Sequence, residues 1–233
     1  GVPANPYPAR VMNLSLGGSG ACSSTYQNAI NAINAAGAVV VVAAGNSNAN
    51  ASAYSPASCA GVVTVAATGK AGNRSYYSNY GASVEIAAPG GDKNADGSTG
   101  TILSTLNAGL TTPGADSLAY YQGTSMATPH VVGIVSLMLS VNPALTPAQV
   151  TQLLQSTATA FPAGSTCTTA LCGAGIVNAA GAVAAAQNPP PPSPPGAFGK
   201  SSPSNGANPL AGSPTVPSSF PCPSACMPGQ IMW

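Results

Sequence analysis

Ala38-Val39-Val40-Val41-Val42-Ala43-Ala44-Gly45-Asn46 is the stretch on which the fold turns. Its four successive valines show no alternation of apolar and polar residues, so a strand built from them has to be covered on both faces. Such strands belong to parallel sheets with helices packed on each side. Gly45-Asn46 then takes the chain out of the strand and into a polar loop. Val62 to Ala67 and Val84 to Ala88 repeat the valine character between turn-rich segments, and Arg10 to Leu16 and Thr101 to Leu106 read as shorter strands. Between them lie helical patterns. Ser24 to Ala36 puts Ala29, Ile30 and Ile33 on one face and stops at Gly37, a residue suited to a helix C-cap. Ser125 to Ser140 is a long apolar helix ended by Asn142-Pro143. Thr146-Pro147 opens another with Pro at its first position, and Asn178 to Gln187 forms a last, alanine-rich one. The alternation predicts an α/β sandwich with a mainly parallel sheet, whose sites form outside the carboxyl ends of the strands.

The chain has 233 residues, enough for one sizeable domain. Only 4% of them are charged, against about a quarter in ordinary proteins, so Ser, Thr, Asn and backbone amides must solvate the surface. The net charge is +1 and the basic residues (Arg10, Lys70, Arg74, Lys93, Lys200) are scattered, which argues against nucleic acid as a partner. The longest apolar run, Ala38 to Ala44, falls well short of the ~20 residues of a membrane span. Neither an initiator Met nor a signal peptide precedes Gly1, which reads as a cut in a longer protein. Six cysteines beside one histidine favour disulfides over zinc, and with them a secreted, extracellular location. The expected pairs are Cys22 with Cys59 and Cys167 with Cys172, and the pairing of Cys222 and Cys226 in the tail is left open. Composition breaks at Asn188: beyond it stand thirteen of the 23 prolines and a single charge. Residues 1–187 are therefore read as the domain portion and 188–233 as a disordered Pro-rich tail that starts as a polyproline II spacer.

Two short segments carry chemistry. Gly123-Thr124-Ser125-Met126-Ala127-Thr128-Pro129-His130-Val131 sets a serine hydroxyl in the first turn of a buried helix, where unpaired N–H groups and the positive dipole end favour a developing anion. A serine there also caps helices routinely. Asn46 offers a side-chain amide at the carboxyl end of the valine strand, although Asn opens loops just as readily.

Taken together, the serine string, Ala43-Ala44-Gly45-Asn46 and the upstream Leu14-Ser15-Leu16-Gly17-Gly18 resemble the subtilisin-like serine proteases (subtilases, peptidase family S8). Tyr54-Ser55-Pro56-Ala57-Ser58 is similar to the proteinase K branch and its secreted bacterial relatives. The resemblance runs from Arg10 to about Gln187. It implies a subtilisin-like three-layer sandwich, Ser125 as nucleophile, and Asn46 with the Ser125 backbone N–H as oxyanion hole. Substrate peptide would lie along Leu14, Ser15, Leu16, Gly17 and Gly18, with Ala43, Ala44 and Gly45 opposite and Tyr54 near the pocket's rim or base. The family's triad runs aspartate, histidine, serine. Both partners would precede Arg10, so the N-terminal strands and the triad's Asp and His are missing from this chain. Asp92, Asp96 and Asp116 all follow Asn46, and the sole histidine, His130, sits five residues along the serine's own helix. It is read as a packing residue with a satisfied hydrogen bond.

The resemblance also implies structural calcium on the carbonyls of Ala60 and Val62 with Glu85, where the family more often has Asp. Asp92-Lys93-Asn94-Ala95-Asp96-Gly97 copies the first half of an EF-hand loop, but Leu103 stands where the closing acid belongs, and a solvated turn is the favoured reading. The functional expectation is a serine endopeptidase acting on peptides through an acyl-enzyme when complete. The chain by itself is expected to be inactive and to need the rest of its domain as partner. The alternative is a non-catalytic remnant or peptide-binding module.

Overall fold

The computed structural model describes residues 5–189. The Pro-rich tail and Cys222 and Cys226 lie outside the described residues. In chain order the strands are β1 (Val11–Leu14), β2 (Gly18–Ser19), β3 (Val39–Ala43), β4 (Tyr54–Ser55), β5 (Val62–Thr68), β6 (Ile86–Pro89), β7 (Ile102–Asn107) and β8 (Asp116–Tyr121). The α-helices are α1 (Ser24–Ala35), α2 (Lys93–Asp96), α3 (Thr124–Val141), α4 (Pro147–Ser156), α5 (Thr169–Cys172) and α6 (Ala179–Gln187).

The valine run becomes β3, buried at all five residues. It pairs in parallel with β1 (Val11 opposite Val39) and with β5 (Val40 opposite Val62), and β6 continues the sheet from β5 (Val65 opposite Ile86). The strand order is therefore β1-β3-β5-β6. Because side chains alternate along a strand, the four valines divide between two cores. Val39 and Val41 join Val131, Val135 and Met138 of α3 and Leu153 of α4. Val40 and Val42 face Ile30 of α1 together with Cys59 and Val62. Each valine buried in this way contributes about 1.5–3 kcal/mol. The result is a three-layer sandwich with α1 on one face of the sheet and α3, α4 and α6 on the other. By length and composition α3 could cross a membrane. Its buried residues instead fill the core beneath the sheet.

Local signals end the elements where the sequence places them. Ser23 caps α1 by accepting from the Tyr26 N–H, and Gly37 follows the helix at φ +83°. Thr146 and Gln149 form a reciprocal capping box on α4, with Pro147 in its first turn. Arg10 fastens the start of β1 by donating to the carbonyls of Gly37, Pro143 and Leu145. Both expected disulfides form, Cys22–Cys59 across 37 residues and Cys167–Cys172 across five.

Two segments add detail that the sequence reading did not contain. Thr101 to Leu106 does not join the main sheet. It pairs antiparallel with β8, a strand that its Asp116-Ser117 opening concealed, and the hairpin leaves Leu103, Leu118 and Tyr120 exposed. Asp92 to Gly97 forms the single turn α2, with Lys93, Asn94, Ala95 and Gly97 exposed but Asp92 buried. Asp92 is only 6% exposed and its carboxylate accepts from the N–H groups of Asn94 and Ala95, capping α2, and from that of Tyr76. Asp96 accepts from the Lys70 N–H. Both carboxylates thus serve as anchors for loop backbone.

Candidate active site

The carboxyl end of β3, the loop after β1 and the N-terminus of α3 meet at an open cleft of about 490 Å³. Every residue named for substrate binding lines it except Leu14, and Ser19, Ser47, Ser55, Ala57 and Thr124 are added. Leu14 packs instead against the core beneath α1, because its position in β1 turns it to that face. No charged side chain lines the cleft. Its far rim is a two-residue antiparallel ladder, Gly18 opposite Ser55 and Ser19 opposite Tyr54. A Cβ on Gly17 would lie 3.0 Å from the Ser55 carbonyl oxygen, so the absence of a side chain there lets the two walls approach.

Ser125 and Asn46, far apart in sequence, both line this cleft, with Asn46 bonded to Thr124, the residue before Ser125. Ser125 Oγ donates to the Ser15 carbonyl at 3.3 Å, and Ser15 Oγ donates in return to the Ser125 carbonyl at 2.9 Å. That carbonyl is available because its helical partner four residues on would be the N–H of Pro129, which does not exist. A proline that looks misplaced inside a helix thereby lets the loop after β1 grip the first turn of α3.

The Asn46 amide has a fixed orientation. Its Oδ1 accepts from the Thr124 N–H at 2.9 Å and from Thr124 Oγ1 at 2.8 Å. With the oxygen held, Nδ2 is left as the end that can donate elsewhere. Thr124 is fully buried, and its hydroxyl also accepts from the Gly45 N–H at 3.2 Å. Its place directly before Ser125 was the only sequence signal of this role. Asn79, likewise fully buried, holds the turn around Asn46 and had no signal in the sequence at all.

Beneath the serine, the Gly123 N–H donates to the Gly90 carbonyl at 3.0 Å. The Tyr77 hydroxyl reaches the carbonyls of Gly90 at 2.9 Å and Gly91 at 2.7 Å. Burial pushes the Tyr77 pKa up to about 12, so the phenol stays protonated as a donor.

His130 Nδ1 lies 2.8 Å from the Met126 carbonyl, the expected hydrogen bond, but the residue is exposed rather than packed. At five residues per ~1.4 helical turns it points away from Ser125. The residues named for calcium are occupied separately. The Ala60 carbonyl accepts from Gln27 Nε2, Val62 is paired within the sheet, and Glu85 Oε2 accepts from Gln155 Nε2 on α4 at 2.7 Å. Gln27 and Gln155 belong to helices on opposite faces of the sheet. Among the described residues no group of three His, Cys, Asp or Glu side chains converges.

Fold and cleft together place the chain among the subtilisin-like α/β proteins. It belongs to the subtilase family, whose model matches residues 2–186. It is 54% identical over 189 residues to an extracellular protease of Xanthomonas campestris pv. campestris, covering 81% of this chain and 30% of that protein. It is 40% identical over 169 residues to subtilisin BL of Lederbergia lenta, covering 72% and 54%. Among solved structures it superimposes on a protease of Pseudoalteromonas arctica PAMC 21717 with a TM-score of 0.74 at 53% identity, covering 80% of this chain and 54% of that one. The chain thus spans roughly a third to a half of the length of these relatives.

Proposed function

We propose that the complete protein is a secreted serine endopeptidase in which Ser125 attacks the substrate carbonyl. Its Oγ–carbon bond forms as the peptide C–N bond breaks, and the serine proton passes through a base to the leaving amine. Water then hydrolyses the acyl-enzyme by the same route in reverse. Asn46 Nδ2 and the Ser125 N–H receive the charge that develops on the carbonyl oxygen. The observation that supports the reading is Asn46, held through its oxygen by Thr124, the residue next to Ser125 in the same cleft. The neutral lining suits uncharged, largely apolar residues before the cut. Secretion is supported by the two disulfides and by relatives named extracellular proteases in Xanthomonas campestris and Dichelobacter nodosus.

Among the described residues no base bonds to Ser125 Oγ. The chain's one histidine is engaged with its own helix, and Ser125 Oγ meets a carbonyl. A second reading, a non-catalytic peptide-binding module, draws on the same observation. The remaining N-terminal part of the domain is the partner that would supply Asp and His. Among the described residues, β1 pairs on one side only, and α3 exposes Leu137 and Val141. Labelling with a fluorophosphonate probe separates the readings. The complete protein labels at Ser125 and loses the label on Ser125→Ala, whereas this chain alone does not label. Strong labelling of the chain alone would show that it contains a base.

A further inference from the structure

Asn79 takes no part in the chemistry just described, yet it is 0% exposed and commits its hydrogen bonds to the turn that carries Asn46. Its Nδ2 donates to the Ala44 carbonyl at 2.8 Å, and its Oδ1 accepts from the N–H groups of Ser47 at 2.9 Å and Ala49 at 3.1 Å. Its own N–H donates to the Gly45 carbonyl at 2.9 Å. These four bonds grip the chain before and after Asn46 and leave Asn46 itself free for Thr124. Gly45 makes room for the clamp: it sits at φ +102°, and a Cβ there would fall 2.4 Å from Asn79 Nδ2. Asn46 through Asn48 are themselves exposed, in a run of small polar residues with little packing of their own.

We infer that Asn79 is a positioning residue for the oxyanion hole: it sets where the Asn46 amide stands relative to the Ser125 N–H. This rests on the endopeptidase reading. The physical ground is that a donor stabilises the transition state only at hydrogen-bond distance from the oxygen that becomes charged. A side chain that moves a donor by ~1 Å costs up to ~10²-fold in rate. Substrate binding along the cleft walls makes no use of that donor, so the loss falls on kcat.

The test is a double-mutant cycle in the complete protein with a chromogenic peptide anilide, at a temperature where circular dichroism shows every variant folded. Asn79→Ala is expected to lower kcat about ten- to a hundredfold with KM within about twofold. In an Asn46→Ala background the same change is expected to alter kcat less than about twofold, since the donor it places is already gone. Asn79→Asp keeps the acceptors for Ser47 and Ala49 and replaces the donor to Ala44 by an oxygen that faces that carbonyl. It should fall between, and it serves if the alanine variant does not fold. An unchanged kcat, an equal loss in both backgrounds, or a rise confined to KM would each overturn the inference. If native protein and Ser125→Ala hydrolyse the substrate equally, the endopeptidase reading itself fails and takes the inference with it.

Discussion

Replacing Tyr77 by Phe removes one hydroxyl from beneath the serine helix and changes how stability depends on pH. The hydroxyl bonds the carbonyls of Gly90 and Gly91, but neither is orphaned by its loss. Gly90 still accepts from the Gly123 N–H, and Gly91 from Ser75 Oγ. The cost near pH 8 is therefore that of an ordinary hydrogen bond, about 1 kcal/mol. The alkaline side works the other way. Tyr77 has a folded pKa of about 12, raised by burial from 10.0. The folded state holds its proton after the unfolded state has released it. Stability from this group is complete below pH ~10 and is lost as pH rises through ~12. Linkage puts the loss at about 1.4 kcal/mol by pH 11 and about 2.3 kcal/mol by pH 12. The Tyr77→Phe variant has no titrating group at this position, so the two stability curves should cross near pH 11. Denaturant unfolding of both forms of the complete protein from pH 8 to 12 measures this, with the other ionisable groups cancelling in the difference. Curves that stay parallel across the range would refute the claim that Tyr77 is held neutral by burial.

The two disulfides should differ in weight. In the chain-entropy model the bond closing 37 residues contributes about 4 kcal/mol and the one closing five about 2 kcal/mol. Replacing the Cys22–Cys59 pair with Ala should accordingly lower the denaturation midpoint about twice as far as replacing the Cys167–Cys172 pair, and a reversed order would show that strain or residual unfolded structure outweighs loop length. Glu85 is committed to Gln155, so Glu85→Gln should leave any calcium-induced rise in melting temperature unchanged. A smaller rise in the variant would restore Glu85 as a ligand.

Much of the fold was legible because it is written in local rules. Four adjacent valines can be buried only from two sides, and β3 divides them between two cores as that requires. Caps at Ser23, Thr146 and Asn178 and the stop after Ala36 follow from backbone groups that need partners within a few residues. Ser125 and Asn46 were singled out through the surrounding strings that resemble the subtilases, since on local pattern alone each reads equally well as a cap or a turn residue. The sequence alone could not pair β7 with β8, since an exposed hairpin has no burial pattern to betray it. Nor could it assign Leu14 to the core, Asp92 to the Tyr76 N–H or Glu85 to Gln155, because each partner lies well away along the chain or on another element. Asn79 is the clearest case. It reads as one more polar loop residue, and only the folding of residues 77–81 against the end of β3 turns its amide into a buried clamp, because an amide buried there needs partners for both its ends.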